Sequence, residues 1–282
     1  MGTSWNLYKV SGAKNTFYGM LVLENPAWDK KDLNFKSEFV KKICGNNNLQ
    51  EPVDGFFVLK EISPQHLAWD FYNSDGSQAE MCGNASRCAA LLYWEKIRPT
   101  NQGTIKVETI VGPFFASRVA ADMVTTLMPK PVQLVQMLEE HYYVNSGVPH
   151  LVIEGAPNKA FALQIRNNPE VFPNGTNVTF FEYLQEKQDS FNFKIQAVTF
   201  ERGVDDFTQA CGTGACAAAY AAIFKKNQTN LSVIEKNVSY KVIVEMPGGE
   251  LVVEFDDLNK APRLTGPAII ETKFIYNHKE II

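Results

Sequence analysis

The sequence predicts an α+β protein of two similar halves, each a mainly antiparallel sheet wrapped around one central helix. Three observations carry this expectation. A short motif occurs twice, half a chain apart: residues 82–90 read CGNASRCAA and residues 211–219 read CGTGACAAA. Each copy opens an alanine-rich helical run set among short segments of strand character. The length of 282 residues also accommodates two domains of roughly 100–150 residues each.

Taken in order, residues 5–24 alternate loosely and read as two strands joined by the polar turn 11–15. Residues 35–44 (FKSEFVKKIC) have helical spacing and stop at Gly45. NNNLQEPVDG, residues 46–55, reads as a loop, FFVLKEI as a strand, and 69–73 as a further strand closed by the turn SDGS. The first cysteine helix follows and ends near Arg98–Pro99, with strands at 104–110 and 114–120. The second half starts near Asp122 and repeats this order. It has strands at 141–145, 150–154, 177–182 and 192–201, a polar loop NNPEVFPNGTN, the turn GVDDFTQ and the second cysteine helix. KVIVEM and GELVVEF are strands, and AIIETKFIY is a strand returning to the first half. The expected domains are therefore 1–121 with 267–282, and 122–266.

Composition narrows the function. The hydrophobic share of 45% and charged share of 21% are those of a globular chain and exclude disorder. A net charge of −4 offers no basic footprint for nucleic acid or an anionic membrane. No apolar run is long enough to span a bilayer, and the N-terminal residues have no signal-peptide core. Five cysteines (44, 82, 88, 211 and 216) form no metal-ligand spacing and leave an odd thiol. A cytoplasmic protein with reduced thiols is the expectation, with no metal, no nucleic acid and no membrane as partners.

The duplicated motif has a chemical meaning. A glycine-containing turn feeding a helix leaves backbone N–H groups unpaired, and the macrodipole favours an anion at that end. A cysteine there is stabilised as thiolate and can act as a base near neutral pH. Two similar halves would each bring one such thiol, Cys82 and Cys211, to a shared cleft. Cys44, Cys88 and Cys216 lie within helical runs and read as core packing, as do Tyr93 and Trp94. His66, His141 and His278 have no motif context and read as surface residues.

MCGNASRC together with ERGVDDFTQACGTGACA resembles the diaminopimelate epimerase family, which works without pyridoxal. The resemblance covers nearly the whole chain: KVSGAKNTF, YNSDGSQAEMCGN, GVPH, NVTFFE, EMPGGELVVEF and LTGPA all fall in family order. It implies a pseudo-symmetric two-domain epimerase, a homodimer, with the active site in the interdomain cleft and no cofactor. It also implies that Asn15, Asn73, Asn177, Glu201 and Arg202 bind the far amino-acid end of diaminopimelate. The N–H groups of Gly83, Asn84, Gly212 and Thr213 would hold the reacting α-carboxylate. Cys82 and Cys211 would be the catalytic pair, assisted by His150 and Glu201. The chemistry suits such a site. An α-proton beside a carboxylate is a very weak acid, and two helix N-termini can absorb the charge its removal builds. Inversion needs a base on one face of the carbon and an acid on the other.

Three positions depart from the family pattern. Val148 stands where many members carry asparagine, the 46–55 loop is not the usual glycine-rich basic version, and Phe207 replaces an acidic residue. These bear on substrate identity, and a racemase of the same fold acting on another amino acid is the alternative. Asn84 and the second cysteine weigh against proline-type racemases and phenazine-type isomerases. A binding module would be expected to have lost one thiol.

Overall fold

The two alanine-rich runs are the longest helices among the described residues, and both are buried on all sides. In α2 (Gly83–Lys96) every residue from 84 to 94 is buried. In α4 (Gly212–Lys226) residues 214–223 are buried without interruption. A helix with no solvent-facing side has to be enclosed by its neighbours, and here each is enclosed by strands. Basic residues close both, Lys96 in α2 and Lys225 and Lys226 in α4, at the dipole end that favours cations. The structure is a computed structural model and describes residues 3–45, 52–79, 82–101, 103–138, 141–166, 168–184, 191–226 and 238–278. Residues 46–51 of the expected loop, and Glu80 and Met81 ahead of the first motif, lie outside the described residues.

The chain divides into two compact units, Met1–Thr126 with Pro267–Ile282, and Leu127–Gly266. The first contains β1 (Thr3–Gly12), β2 (Asn15–Leu21), α1 (Leu33–Cys44), β3 (Gly55–Ser63), β4 (His66–Asn73) and α2. It continues with β5 (Ile105–Glu108), β6 (Phe114–Arg118), β7 (Met123–Leu127) and the returning β16 (Ile269–His278). Its strand order is β16-β1-β2-β3-β4-β5-β6-β7. The β2–β3 and β4–β5 pairs are parallel and the rest antiparallel. Alternate residues face opposite layers, as strand geometry requires. Tyr8, Val10, Phe57 and Leu59 join the core around α2. Their neighbours Trp5, Leu7, Phe56 and Val58 join Trp28 and the Phe39–Cys44 face of α1.

The second unit contains β8 (Val132–Leu138), β9 (His141–Asn145), β10 (Pro149–Glu154), α3 (Lys159–Arg166), β11 (Asn177–Tyr183) and β12 (Asn192–Phe200). After α4 come β13 (Tyr240–Met246), β14 (Gly249–Phe255) and β15 (Arg263–Pro267). Its order is β8-β9-β10-β11-β12-β13-β14-β15. The parallel pairs are β10–β11 and β12–β13. Strand for strand this is the arrangement of the first unit, with β16 taking in unit 1 the place β8 takes in unit 2. The registers match as well: Phe17 faces Gly55 across β2–β3, and His150 faces Asn177 across β10–β11. The expected α+β class, a mainly antiparallel sheet on one central helix in each half, is what the structure has.

Several elements depart from the sequence expectations. β7, β8 and α3 carry no clear sequence signal, whereas β15 falls on LTGPA, one of the segments in family order. The strand expected over 104–110 stops at Glu108. Thr109 takes the next backbone groups: its hydroxyl donates to Gly112 O (2.6 Å) and accepts from Val111 N (3.2 Å), closing a turn. The three histidines read as surface residues are partly buried. His66 pairs with Glu108 at 2.8 Å, His141 packs against Phe161, and His278 packs against Phe35, Phe39 and Tyr276.

Candidate active site

Cys82 and Cys211 occupy the same place in their separate units, the residue ahead of the central helix. Cys82 is half-buried and extended (φ −137°, ψ 120°), and Ser86 N to Cys82 O (2.8 Å) is the first helical hydrogen bond of α2. The N–H groups of Gly83, Asn84 and Ala85 therefore precede that first bond, at the positive end of the helix dipole. In α4 the corresponding bond is Ala215 N to Cys211 O (2.9 Å). Cys211 Sγ accepts the Gly214 N–H at 3.4 Å, so the sulfur caps its own helix, a setting that favours thiolate. The other thiols differ. Cys44, Cys88 and Cys216 are buried in the core, and burial pushes Cys44 and Cys88 up to about 12, which leaves them inert.

Around Cys82 a chain of side chains runs from solvent to the interior. Asp54, which is exposed, accepts from Thr16 N (2.7 Å) and from Asn15 Nδ2 (3.3 Å). Asn15 Oδ1 accepts from Asn84 Nδ2 (2.8 Å), and Asn84 Oδ1 accepts from Arg87 (2.6 Å). Arg87 is 0% exposed and also donates to Gly83 O (3.1 Å) and Pro267 O (3.4 Å). Because guanidinium only donates and carboxylate only accepts, the chain fixes how both carboxamides are turned. The hairpin turn that delivers Asn15 is tight, with Ala13 and Lys14 at positive φ (51° and 63°). Asn73 is not part of this chain. It is exposed and bonded to Ser77, by Nδ2 to Oγ at 3.0 Å.

Around Cys211 the groups are hydroxyls and one imidazole. Cys211 Sγ lies 3.4 Å from Thr213 Oγ1, which lies 3.0 Å from His150 Nε2. His150 Nδ1 is 2.9 Å from Thr179 Oγ1, which is 3.0 Å from Thr199 Oγ1. His150 is fully buried, and burial pushes its pKa down from 6.5 to about 3, so it is neutral. The helix start is pressed onto these threonines: a Cβ at Gly214 would meet Thr199 Oγ1 at 2.2 Å. Ser146 Oγ donates to Thr213 O (2.8 Å) and ties the turn before β10 to α4.

Asn177, Glu201 and Arg202 come together at the end of β12. Asn177 Oδ1 accepts from Arg202 N (2.8 Å) and its Nδ2 donates to Pro149 O (3.2 Å). Glu201 accepts from Thr208 Oγ1 (2.6 Å), and Arg202 extends to Asn174 O (2.7 Å). Phe207, one of the departures from the family pattern, packs edge-on against Phe180 and Phe200 and anchors this turn. Sequence reasoning missed Asp54, Arg87, Thr179 and Thr199. The available signal was a polar residue at or inside an apolar run, Arg87 immediately ahead of CAALLYW and Thr179 within VTFF.

The family model for diaminopimelate epimerase matches residues 21–132 and 142–270. The chain belongs to the diaminopimelate epimerase family. It is 32% identical over 246 residues to the diaminopimelate epimerase of Aquifex aeolicus, covering 82% of each chain. To that of Carboxydothermus hydrogenoformans it is 30% identical, covering 95% of this chain and 98% of the other. Among solved structures, a phenazine biosynthesis protein of the PhzF family from Bacillus anthracis aligns with TM-score 0.67 at 11% identity, over 97% and 99% of the two chains. A probable proline racemase from Agrobacterium radiobacter aligns with TM-score 0.60 at 15% identity, over 96% and 92%. These two share the fold.

Proposed function

We propose that this protein is an isomerase that interconverts LL- and meso-diaminopimelate, with Cys82 and Cys211 as the two acid–base groups. The observation that carries the reading is the pair of Cys-Gly helix starts in two units of one strand order, within a chain of this family. One cysteine, as thiolate, removes the α-proton and becomes a thiol. The electron pair left on carbon delocalises into the α-carboxylate, held by the N–H groups at Gly83–Asn84 and Gly212–Thr213. The other cysteine, as thiol, delivers a proton to the opposite face and becomes a thiolate. The proposal requires both thiols to reach one carbon.

His150, neutral between two threonines, takes a positioning part in this reading rather than the acid–base part expected from the resemblance. Glu201 and Arg202, with Asn177 behind them, suit the charged far end of the substrate, and Asn15 and Asn73 complete its recognition. We assign the protein to the cytoplasm as a homodimer, on the family resemblance. Incubation with LL-diaminopimelate in deuterated water, without added pyridoxal, should yield meso product labelled at the inverted carbon. Unlabelled product, or none, would refute the reading. Equally fast turnover of a simple monoamino acid would favour the racemase alternative and point to Val148.

A further inference from the structure

The hydrogen bonds behind Cys211 have one direction when that cysteine is a thiolate. A thiolate only accepts, so Thr213 must donate its hydroxyl proton to Cys211 Sγ (3.4 Å). The Thr213 oxygen is then left to accept from His150 Nε2 (3.0 Å), which places the imidazole proton on Nε2. A neutral imidazole has one N–H, so Nδ1 is bare and must accept from Thr179 (2.9 Å). The Thr179 oxygen in turn accepts from Thr199 (3.0 Å). Thr179, Thr199 and His150 are all 0% exposed, so bulk water does not stand in for a missing member.

We propose that Thr179 is a positioning residue for the reaction: by donating to His150 Nδ1 it fixes the Nε2–H tautomer, which aims the Thr213 hydroxyl proton at the Cys211 thiolate. The proposal rests on the reading of Cys211 as a catalytic base, and it deepens that reading by naming what orients its first hydrogen-bond donor. The neutrality that burial imposes on His150 supports it, since an imidazolium would donate from both nitrogens and Thr179 would then accept from Nδ1 instead of donating to it. Nothing in the sequence motif around Cys211 encodes Thr179, which sits on β11 and enters only through the fold.

Thr179→Val keeps the shape of the side chain and removes the hydroxyl, while Thr179→Ser keeps the hydroxyl. The tautomer is read by ¹⁵N NMR on histidine-labelled full-length protein, which has four histidines, with His150→Gln identifying the signal. The parent should show protonated Nε2 and bare Nδ1 at His150, and Thr179→Val should lose that preference. For diaminopimelate, Thr179→Val should lower kcat about tenfold, the worth of one buried hydrogen bond, with little change in KM, and Thr179→Ser should stay within about threefold of the parent. An Nδ1–H tautomer in the parent, at a pH raised until Cys211 is thiolate, would overturn the proposal. So would Thr179→Val turning over at the parental rate, or Thr179→Ser as impaired as Thr179→Val. If the parent turns over no diaminopimelate at all, the proposed function fails by itself, and the proposal is then decided by the tautomer of the parent and of Thr179→Val.

Discussion

His150→Gln provides a test of the Cys211 surroundings that needs no substrate. His150 titrates at about 3 in the folded protein and at 6.5 when unperturbed, a downward shift caused by burial. Between those values the unfolded chain binds a proton that the folded chain refuses, so stability rises with pH and is lost as pH falls below 6.5. At one proton the slope approaches about 1.4 kcal/mol per pH unit, and integrating from pH 6.5, where the unfolded imidazole is half protonated, to pH 4.5 gives a cost of about 2.3 kcal/mol from this residue alone. The carboxamide of the variant has no such titration and can still bond a threonine hydroxyl. Urea unfolding of both proteins at several pH values over that range separates this contribution from the carboxylates, which they share. The parent should lose stability more steeply, by about 1.4 kcal/mol per unit at the acid end. Parallel pH dependences would mean that His150 is hydrated or charged in the folded state, and the neutral relay from Thr199 to Cys211 would be wrong.

Gly214→Ala places a methyl group 2.2 Å from Thr199 Oγ1, 3.2 Å from Thr179 Oγ1 and 3.3 Å from Cys211 Cβ, all on short side chains with little room to move. Overpacking of this kind costs about 1–3 kcal/mol, and epimerisation should fall more than stability, as seen by comparing kcat with thermal unfolding. Cys82→Ala and Cys211→Ala should each abolish epimerisation. Residual exchange of the α-hydrogen with deuterated solvent should favour opposite stereoisomers in the two variants, and either variant epimerising at near-parental rate would exclude the two-base reading.

The frame was legible in the sequence because it rests on strong local signals. The two alanine-rich helices announce themselves by composition, and strands such as KVIVEM and GELVVEF by alternation. Strand β7 (MVTTL) has no clear alternation of apolar and charged residues, and α3 (KAFALQIR) is only eight residues long. Of the site, the thiols and the helix starts were legible because each lies within a contiguous motif. Asp54 and Thr179 were not, since Asp54 reaches the first turn of α2 and Thr179 reaches Cys211 only through hydrogen-bond chains of residues distant in sequence. His150 was picked out by its motif, but its environment was invisible. Whether an imidazole is a proton donor or a neutral strut depends on burial, and burial depends on what β11 and α4 bring beside it.

The duplicated fold also shows where two halves of one design have parted. Counting from each cysteine, Asn84 corresponds to Thr213 and the buried Arg87 to the buried Cys216. By sheet register, Phe17 corresponds to His150. One helix start is thus braced by a chain that ends in a guanidinium and a carboxylate, Arg87–Asn84–Asn15–Asp54. The other is braced by a neutral chain, Thr213–His150–Thr179–Thr199. Both chains are directional, and each orients a polar side chain of the first helical turn beside its cysteine. The first is oriented by fixed charges, so it keeps its direction as long as both of its ends are ionised. The second carries no charge: with Cys211 as thiolate it runs from Thr199 through Thr179, His150 and Thr213 to the sulfur. A neutral chain brings no second charge beside the sulfur, so what it offers a thiolate at Cys211 is a directed hydroxyl proton, and Thr179 holds that direction by keeping His150 in the Nε2–H tautomer.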